Sequence, residues 1–201
     1  MESYIRDYVK KYDFYSYDNE FCTSTYNIIL KELEEEYEII KIDIDKFITK
    51  KKLEEIGITK SLINDFIELI RKSINKNEFF TLYSIEKIIE LSDIYQYGFE
   101  DIFYESILTN CNLIQTTKFQ NRVIMIFSEK QNIKKNDMLI HFLQQQNGYD
   151  IEELIEKFDK EYGIKLDRQK LLTICYEENL YYNKELEKIY LNKEQWYEEV
   201  Y

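Results

Sequence analysis

The feature that most constrains this chain is a change of hydrophobic period in its last third. Ile151, Leu154, Ile155, Phe158 and Tyr162 recur at helical spacing. Asp150, followed three residues later by Glu153, forms a capping-box start, and Gly163 supplies a left-handed stop. A second helix begins near Asp167, with Leu171, Leu172 and Cys175 as its apolar stripe, and "NDMLIHFLQQQ" upstream supplies another. Beyond them the period shortens. "NLYYNKELEKIYL" sets β-formers on both sides of a polar turn near Asn183 and Lys184. An isolated ribbon would be marginal, so it must complete its apolar face on the helices.

Three short helices closed by a two-stranded ribbon form the pattern of a winged helix-turn-helix. The pattern occurs twice. "NDFIELIRKSINKNEFFTLYSIEKIIE" and "NDMLIHFLQQQNGYDIEELIEKFDKE" both open on Asn-Asp and a short apolar helix, then pass through an aromatic loop into a second helix. "GFEDIFYESILTN" and "NLIQTTKFQNRVIMIFS" then occupy the third-helix and ribbon positions of the earlier copy. An offset of about 70 residues suits a small domain used twice. The expected modules are 60–128 and 133–201, joined by the charged linker "EKQNIKKND". Residues 1–59 carry two helical patterns, "SYIRDYVKKYD" and "STYNIILKELEEEYEII", and a strand-like "IIKIDIDKFIT". They form either a degenerate third copy or a helical cap. The expected fold class is α+β, mainly α with small β-hairpins, as tandem winged helix-turn-helix modules.

Composition permits real cores, since 44% of the 201 residues are hydrophobic. Proline and alanine are absent, and Ile, Lys, Asn, Glu and Tyr dominate, as in proteins of AT-rich genomes. The net charge of -12 repels nucleic acid, because phosphate contacts require Lys or Arg. It serves solubility, or else it fits a basic partner or an imitation of DNA. Cys22, Cys111 and Cys175 are far apart and lack C-x-x-C spacing, so buried thiols are expected rather than a disulfide or zinc site. The charged N-terminus lacks a signal-peptide core, and no apolar run is long enough to span a membrane. A cytoplasmic protein without membrane association is expected.

The terminal segments "DMLIHFLQQQ", "GYD", "IEELIEKFDKEYGI", "DRQKLLTICYEEN" and "LYYNKELEKIYLN" together resemble the HARE-type helix-turn-helix, the winged-helix domain of the RNA polymerase delta subunit of Gram-positive bacteria. The resemblance covers about a third of the chain well and a second third loosely, and it is topological and hydrophobic rather than chemical. It implies a role in transcription or other DNA-associated work without catalysis. One departure is that the delta subunit carries its acidity in a separate disordered tail, whereas here acids run through segments with folding patterns.

In a DNA-reading winged helix the third helix enters the major groove and the wing touches phosphate. The terminal third helix offers Arg168, Gln169, Lys170 and Thr173, with Glu177 and Glu178 at its far end. Arg168 and Gln169 suit guanine and adenine edges, or else they lie on an ordinary solvated face. The equivalent "FEDIFYESIL" has three acids and no base. In "TTKFQNR", Lys118 and Arg122 stand beside Gln120 and Asn121 as a phosphate-touching tip, whereas "NKELEK" pairs each Lys with a Glu. Lys46, Lys50, Lys51 and Lys52 form a further basic run, read as a solvated edge or as phosphate contacts. His141 lies beside apolar positions without an evident nucleophile or orienting group. Asp43 and Asp45 would share one strand face. Trp196 and Tyr197 either cover the last module's core or anchor a partner. The expected function is non-enzymatic DNA binding or transcription regulation through DNA or RNA polymerase, with no cofactor and no metal. The alternative is an acidic inhibitor that mimics DNA and occupies a basic nucleic-acid-binding partner.

Overall fold

The structure is a computed structural model, and it describes residues 2–17, 24–128 and 132–200. Cys22 and part of the linker "EKQNIKKND" lie outside the described residues. The chain is a mixed α+β protein with small antiparallel three-stranded sheets. It packs as two compact units. One holds the residues up to 78 together with 85–114; the other holds 79–84 and everything from 115 onward. The central segment 60–128 therefore gives its helices to the first unit and its strands to the second.

The first unit begins with α1 (Glu2–Lys10), β1 (Phe14–Ser16), α2 (Ser24–Glu35), β2 (Ile39–Asp43) and β3 (Lys46–Thr49). β3 lies between β1 and β2 and pairs antiparallel with both. One face of α1 and one of α2 turn inward with the sheet, so that Ile5, Val9, Tyr26, Ile29, Leu33, Ile39 and Phe47 share a core. Within it the Tyr15 and Tyr26 hydroxyls bond to each other, which satisfies two buried polar groups at once. The buried Thr49 hydroxyl donates to the carbonyls of Tyr12 and Asp13 at 2.8 and 3.1 Å, tying the strand end to the loop before β1.

"IIKIDIDKFIT" is thus a hairpin and not one strand. Asp43 ends β2, Asp45 lies in the turn, and the pairing register shifts between Lys41 and Asp43. Asp43 Oδ1 accepts the Ile44 amide at 2.8 Å, the local bond that favours Asp in turns. The two carboxylates do not share a strand face, which corrects the expectation from alternation.

The same unit continues through α3 (Lys50–Glu55), α4 (Lys60–Ser73), α5 (Glu86–Glu90), a 3-10 turn (Asp93–Tyr97) and α6 (Asp101–Thr109). α4 starts where Thr59 Oγ1 accepts the Leu62 amide, and it buries Ile63, Phe66, Ile67 and Ile70 at helical spacing. α6 buries Phe103, Tyr104, Ile107 and Leu108. It is joined to the first sheet by Lys41 N–H to Ser106 Oγ (3.1 Å) and by Tyr37 OH to the Ile107 carbonyl (3.1 Å).

The second unit contains two further sheets of the same design. In one, β6 (Arg122–Phe127) lies between β4 (Phe79–Phe80) and β5 (Ile114–Phe119). In the other, β9 (Lys188–Tyr190) lies between β7 (Tyr149–Asp150) and β8 (Tyr181–Asn183). Between these strands run α7 (Asp137–Gln145), α8 (Ile151–Tyr162) and α9 (Arg168–Glu177), and α10 (Lys193–Val200) follows. Asp150 caps α8 by accepting the Glu152 and Glu153 amides, and Asp167 caps α9 through the Lys170 amide. One core joins Phe79, Phe119, Ile124 and Ile126 from the earlier sheet to Leu139, Phe142, Leu154, Phe158, Leu171 and Ile189. Phe158 stands at its centre, with Phe119 at 5.8 Å and Phe142 at 5.4 Å between ring centroids.

The C-terminus of α8 is held by a polar clamp. Gly163 has a φ of +64°, which lets the Ile164 amide turn back to the Phe158 carbonyl at 2.9 Å. The carbonyls at a helix end lack intrahelical donors. Here Thr81 Oγ1 donates to the Tyr162 carbonyl (2.8 Å), while Asn121 Nδ2 (3.1 Å) and Arg122 Nε (3.2 Å) donate to that of Gly163.

Candidate partner-binding site on the second unit

α9 is amphipathic in a way that leaves one face bare. Leu171, Ile174 and Cys175 point into the core, and Gln169, Thr173 and Tyr176 lie outside, four and three residues apart on one stripe. Tyr176 is 88% exposed, the most exposed large apolar side chain described. With Leu172 and the stem of Arg168, these residues line an open depression of about 530 Å³. Tyrosine gives a large, amphipathic contact area at small conformational cost, which suits an interface anchor. The spacing of Gln169, Thr173 and Tyr176 was readable in the sequence, but the charge of Arg168 and Lys170 drew attention to the start of the helix instead.

Arg168 does not point freely outward. Its Nη2 bonds Glu187 Oε1 at 2.5 Å and the Tyr182 hydroxyl at 3.2 Å, both on the β8–β9 hairpin, and Nη1 lies 3.5 Å from Glu152. The bond to Glu187, followed by that to Tyr182, raises the guanidinium pKa further, so the charge is permanent and locally answered. Reading guanine would require breaking these contacts.

A second groove, of about 420 Å³, runs beside α9 and brings together residues far apart in sequence. Lys118 from β5 faces Gln169, Lys170 and Thr173 of α9, with Lys135 nearby. Its acids are Asp167, which lies 3.8 Å from Lys170 Nζ, and Glu177, which pairs with Lys135 at 3.0 Å. Of the cations that the sequence singles out, Lys118 and Lys170 are the two that meet. The acids beside them leave little net charge for phosphate, since firm binding uses about 6–10 phosphate contacts.

The remaining candidates are engaged elsewhere. Arg122 is half-buried, spent on the Gly163 carbonyl and on the Tyr83 ring at 5.6 Å, and Asn121 is likewise used in the clamp. In the first unit, Lys50 bonds Glu38 (3.0 Å), Lys51 bonds Asp13 (3.1 Å) and Lys52 bonds Glu55 (3.1 Å). Lys46 stands 3.8 Å from Asp43. That basic run is a set of ion pairs rather than an open patch.

Trp196 packs on Tyr181 at 5.3 Å, and Gln195 Nε2 fixes α10 by donating to the Leu143 carbonyl at 2.9 Å. The tryptophan therefore covers the core, while Tyr197 is 45% exposed beneath Lys193. His141 bonds Gln145 at 2.7 Å and meets the edge of Phe79. Burial pushes the Cys175 thiol up to about 12 and raises that of Cys111, so neither ionises readily.

Among the described residues, no group of three or more His, Cys, Asp or Glu is placed to hold a metal ion. Among the same residues, no helix is long and apolar enough to cross a membrane. No family model, curated protein or solved structure matches the chain.

Proposed function

We propose that the chain is a non-enzymatic protein of tandem winged helices that acts in transcription regulation or DNA-associated work, and that it does so by gripping a protein partner such as RNA polymerase. All three sheets place the third strand between the first and second. The last sheet is entered by helix, strand, two helices and hairpin, the element order of a winged helix. The elements α4, β4, α5, α6 and the β5–β6 hairpin follow that order too, whereas among the described residues α2 is the one helix between β1 and β2. The resemblance of the last module to the delta-subunit domain points to the same class of work.

The observation that carries the choice of a protein partner is the exposed face of α9. In a DNA reader that face would set free cations beside its base-edge donors; here Gln169 and Thr173 flank the exposed Tyr176, and Arg168 is already answered by Glu187 and Glu152. Neutral aromatic surface beside modest polar groups is the composition of a protein interface core.

Two titrations test the reading. Purified bacterial RNA polymerase should bind the chain, and Tyr176→Asp should weaken that binding by about 10-fold or more, the effect of losing one anchor residue. A labelled DNA duplex should bind weakly, and Arg168→Glu with Lys170→Glu should leave that weak binding unaltered. Tight duplex binding that falls steeply with salt and is lost in this double variant would overturn the protein-contact reading. Absence of polymerase binding would overturn the choice of partner.

A further inference from the structure

In the first unit the stretch from Glu86 to Asp101 differs from the rest of the surface. It carries Glu86, Glu90, Asp93, Glu100 and Asp101, all exposed, against one lysine, Lys87. Among the described residues none of these five carboxylates makes an ion pair, in contrast to Glu32, Glu36, Glu38 and Asp13 of the same unit, each of which is held by Arg6 or a lysine. In their midst Leu91 is 79% exposed and Tyr95 is 45% exposed.

The local geometry brings these groups together. Glu86 and Glu90 are four residues apart on α5 and so share one helical face. The chain then tightens. The Ser92 amide reaches the Ile89 carbonyl and the Tyr95 amide reaches that of Ser92, both at 3.0 Å, so Leu91 and Asp93 follow within a single turn. Gly98, left-handed at φ +69°, ends this turn before α6 begins at Asp101.

An independent feature lies beneath the surface beside Tyr95. The Tyr104 hydroxyl is buried and has no hydrogen-bond partner among the described residues. Its ring packs 6.5 Å from that of Tyr95. Burial, then the neighbouring Tyr95 and Asp101, raise its pKa, so it remains a neutral donor. A buried hydroxyl left without a partner costs free energy, and an incoming acceptor would relieve that cost.

We propose that this face docks a basic protein segment, one that places lysine or arginine against the carboxylates of Glu86, Glu90 and Asp93 and an apolar side chain over Leu91. Charge complementarity selects the occupant. An exposed leucine framed by unpaired carboxylates repels nucleic acid and acidic surfaces and attracts a cationic amphipathic helix or loop. A shift of the Tyr95 side chain on docking would open the buried Tyr104 hydroxyl to a backbone carbonyl of that segment. The inference rests on the first unit alone and is independent of the reading of α9.

The test uses the full chain and a fluorescein-labelled synthetic amphipathic peptide of lysine and leucine, followed by anisotropy. The wild-type chain should bind it, with affinity falling as salt rises. The triple variant Glu86→Lys, Glu90→Lys, Asp93→Lys should weaken binding by about 10-fold or more, from three reversed surface charge contacts. Leu91→Ala should weaken it by about 3-fold or more through the lost apolar contact. A control triple variant on α8, Glu152→Lys, Glu153→Lys, Glu156→Lys, changes net charge equally and should leave binding within about 2-fold, because this effect is local. Equal losses in both triple variants would show attraction to net charge alone and overturn the site. So would an absence of peptide binding at low salt, or tight binding of a DNA duplex that competes with the peptide. Far-UV circular dichroism of each variant establishes that these exposed substitutions leave the fold intact.

Discussion

Replacing Gly163 by alanine tests the clamp at the end of α8. The residue sits at φ +64°, where an L side chain costs about 1–2 kcal/mol. An added Cβ would also lie 2.8 Å from Tyr83 Cγ and 3.1 Å from Cδ1, well inside ordinary contact. Cγ is the root of the ring, so relief requires Tyr83 to leave its rotamer, which surrenders the Arg122 stacking, worth about 0.5–1 kcal/mol at a partly exposed site. Together these give an expected loss of about 1.5–3 kcal/mol for Gly163→Ala. Gly98→Ala supplies the reference, since its φ is +69° and nothing lies within 4 Å of its new Cβ. It should lose only the backbone share. Gly163→Asn should recover part of the backbone share, because asparagine tolerates the left-handed region, while keeping the collision. Urea unfolding followed by Trp196 fluorescence reports on the second unit, since the single tryptophan packs on Tyr181 there. Circular dichroism follows Gly98→Ala. If Gly163→Ala costs no more than Gly98→Ala, the ring on the glycine contributes nothing and the clamp argument fails.

Three further outcomes follow from local chemistry. Asp167→Ala removes the acceptor for the Lys170 amide at the start of α9 and should cost about 1 kcal/mol in the same urea assay, with Asp167→Asn nearly neutral. At Glu38, burial raises the carboxyl pKa, but the bonds from Lys50 and Lys10 outweigh it, and the net shift is downward. A folded pKa below the unfolded one means stability that is fully present above the usual carboxylate range and lost as pH falls through the folded pKa. Urea midpoints of Glu38→Gln should therefore be lower than wild type at neutral pH and converge with it in acid. Cys111 and Cys175 are buried with raised pKa values, so the native chain should show at most one thiol reactive to Ellman's reagent, and all three should react in denaturant.

The elements most legible in the sequence were those whose ends carry their own chemistry. Asp150, Gly163 and Asp167 fix the limits of α8 and the start of α9 through bonds that need only neighbouring residues, and the structure places them there. The α+β class and the β8–β9 hairpin at Asn183 were readable from the change of period for the same reason. What could not be read was decided by long-range partners. Arg122 looks like a phosphate contact until the Gly163 carbonyl, 41 positions away, takes its Nε. Lys51 looks like part of a basic patch until Asp13 is found beside it, 38 positions away. Asp43 and Asp45 failed differently: alternation continues through a two-residue turn without a break, so period alone cannot distinguish a hairpin from a long strand. Tyr176 could have been found by extending the Gln169 and Thr173 stripe one more turn along α9.

These pairings change what the acidity of the chain means. A net charge of -12 spread evenly would give a diffuse repulsive field and little else. Instead Arg6 holds Glu32 and Glu36, Lys10 and Lys50 hold Glu38, and Arg168 holds Glu187. Exposed pairs of this kind contribute little stability, so their main physical consequence is to withdraw cations from any external anion. The first unit's excess is then concentrated where pairing stops, between Glu86 and Asp101, which carries a net of four negative charges, a third of the whole. A surface on which several cations are committed to internal pairs, and on which carboxylates without such pairs flank an exposed leucine, discriminates by sign at one place. Association there should weaken with salt when the partner is cationic, whereas contact at the neutral face of α9 should depend little on salt. The salt dependence of a binding partner therefore tells which of the two faces it uses.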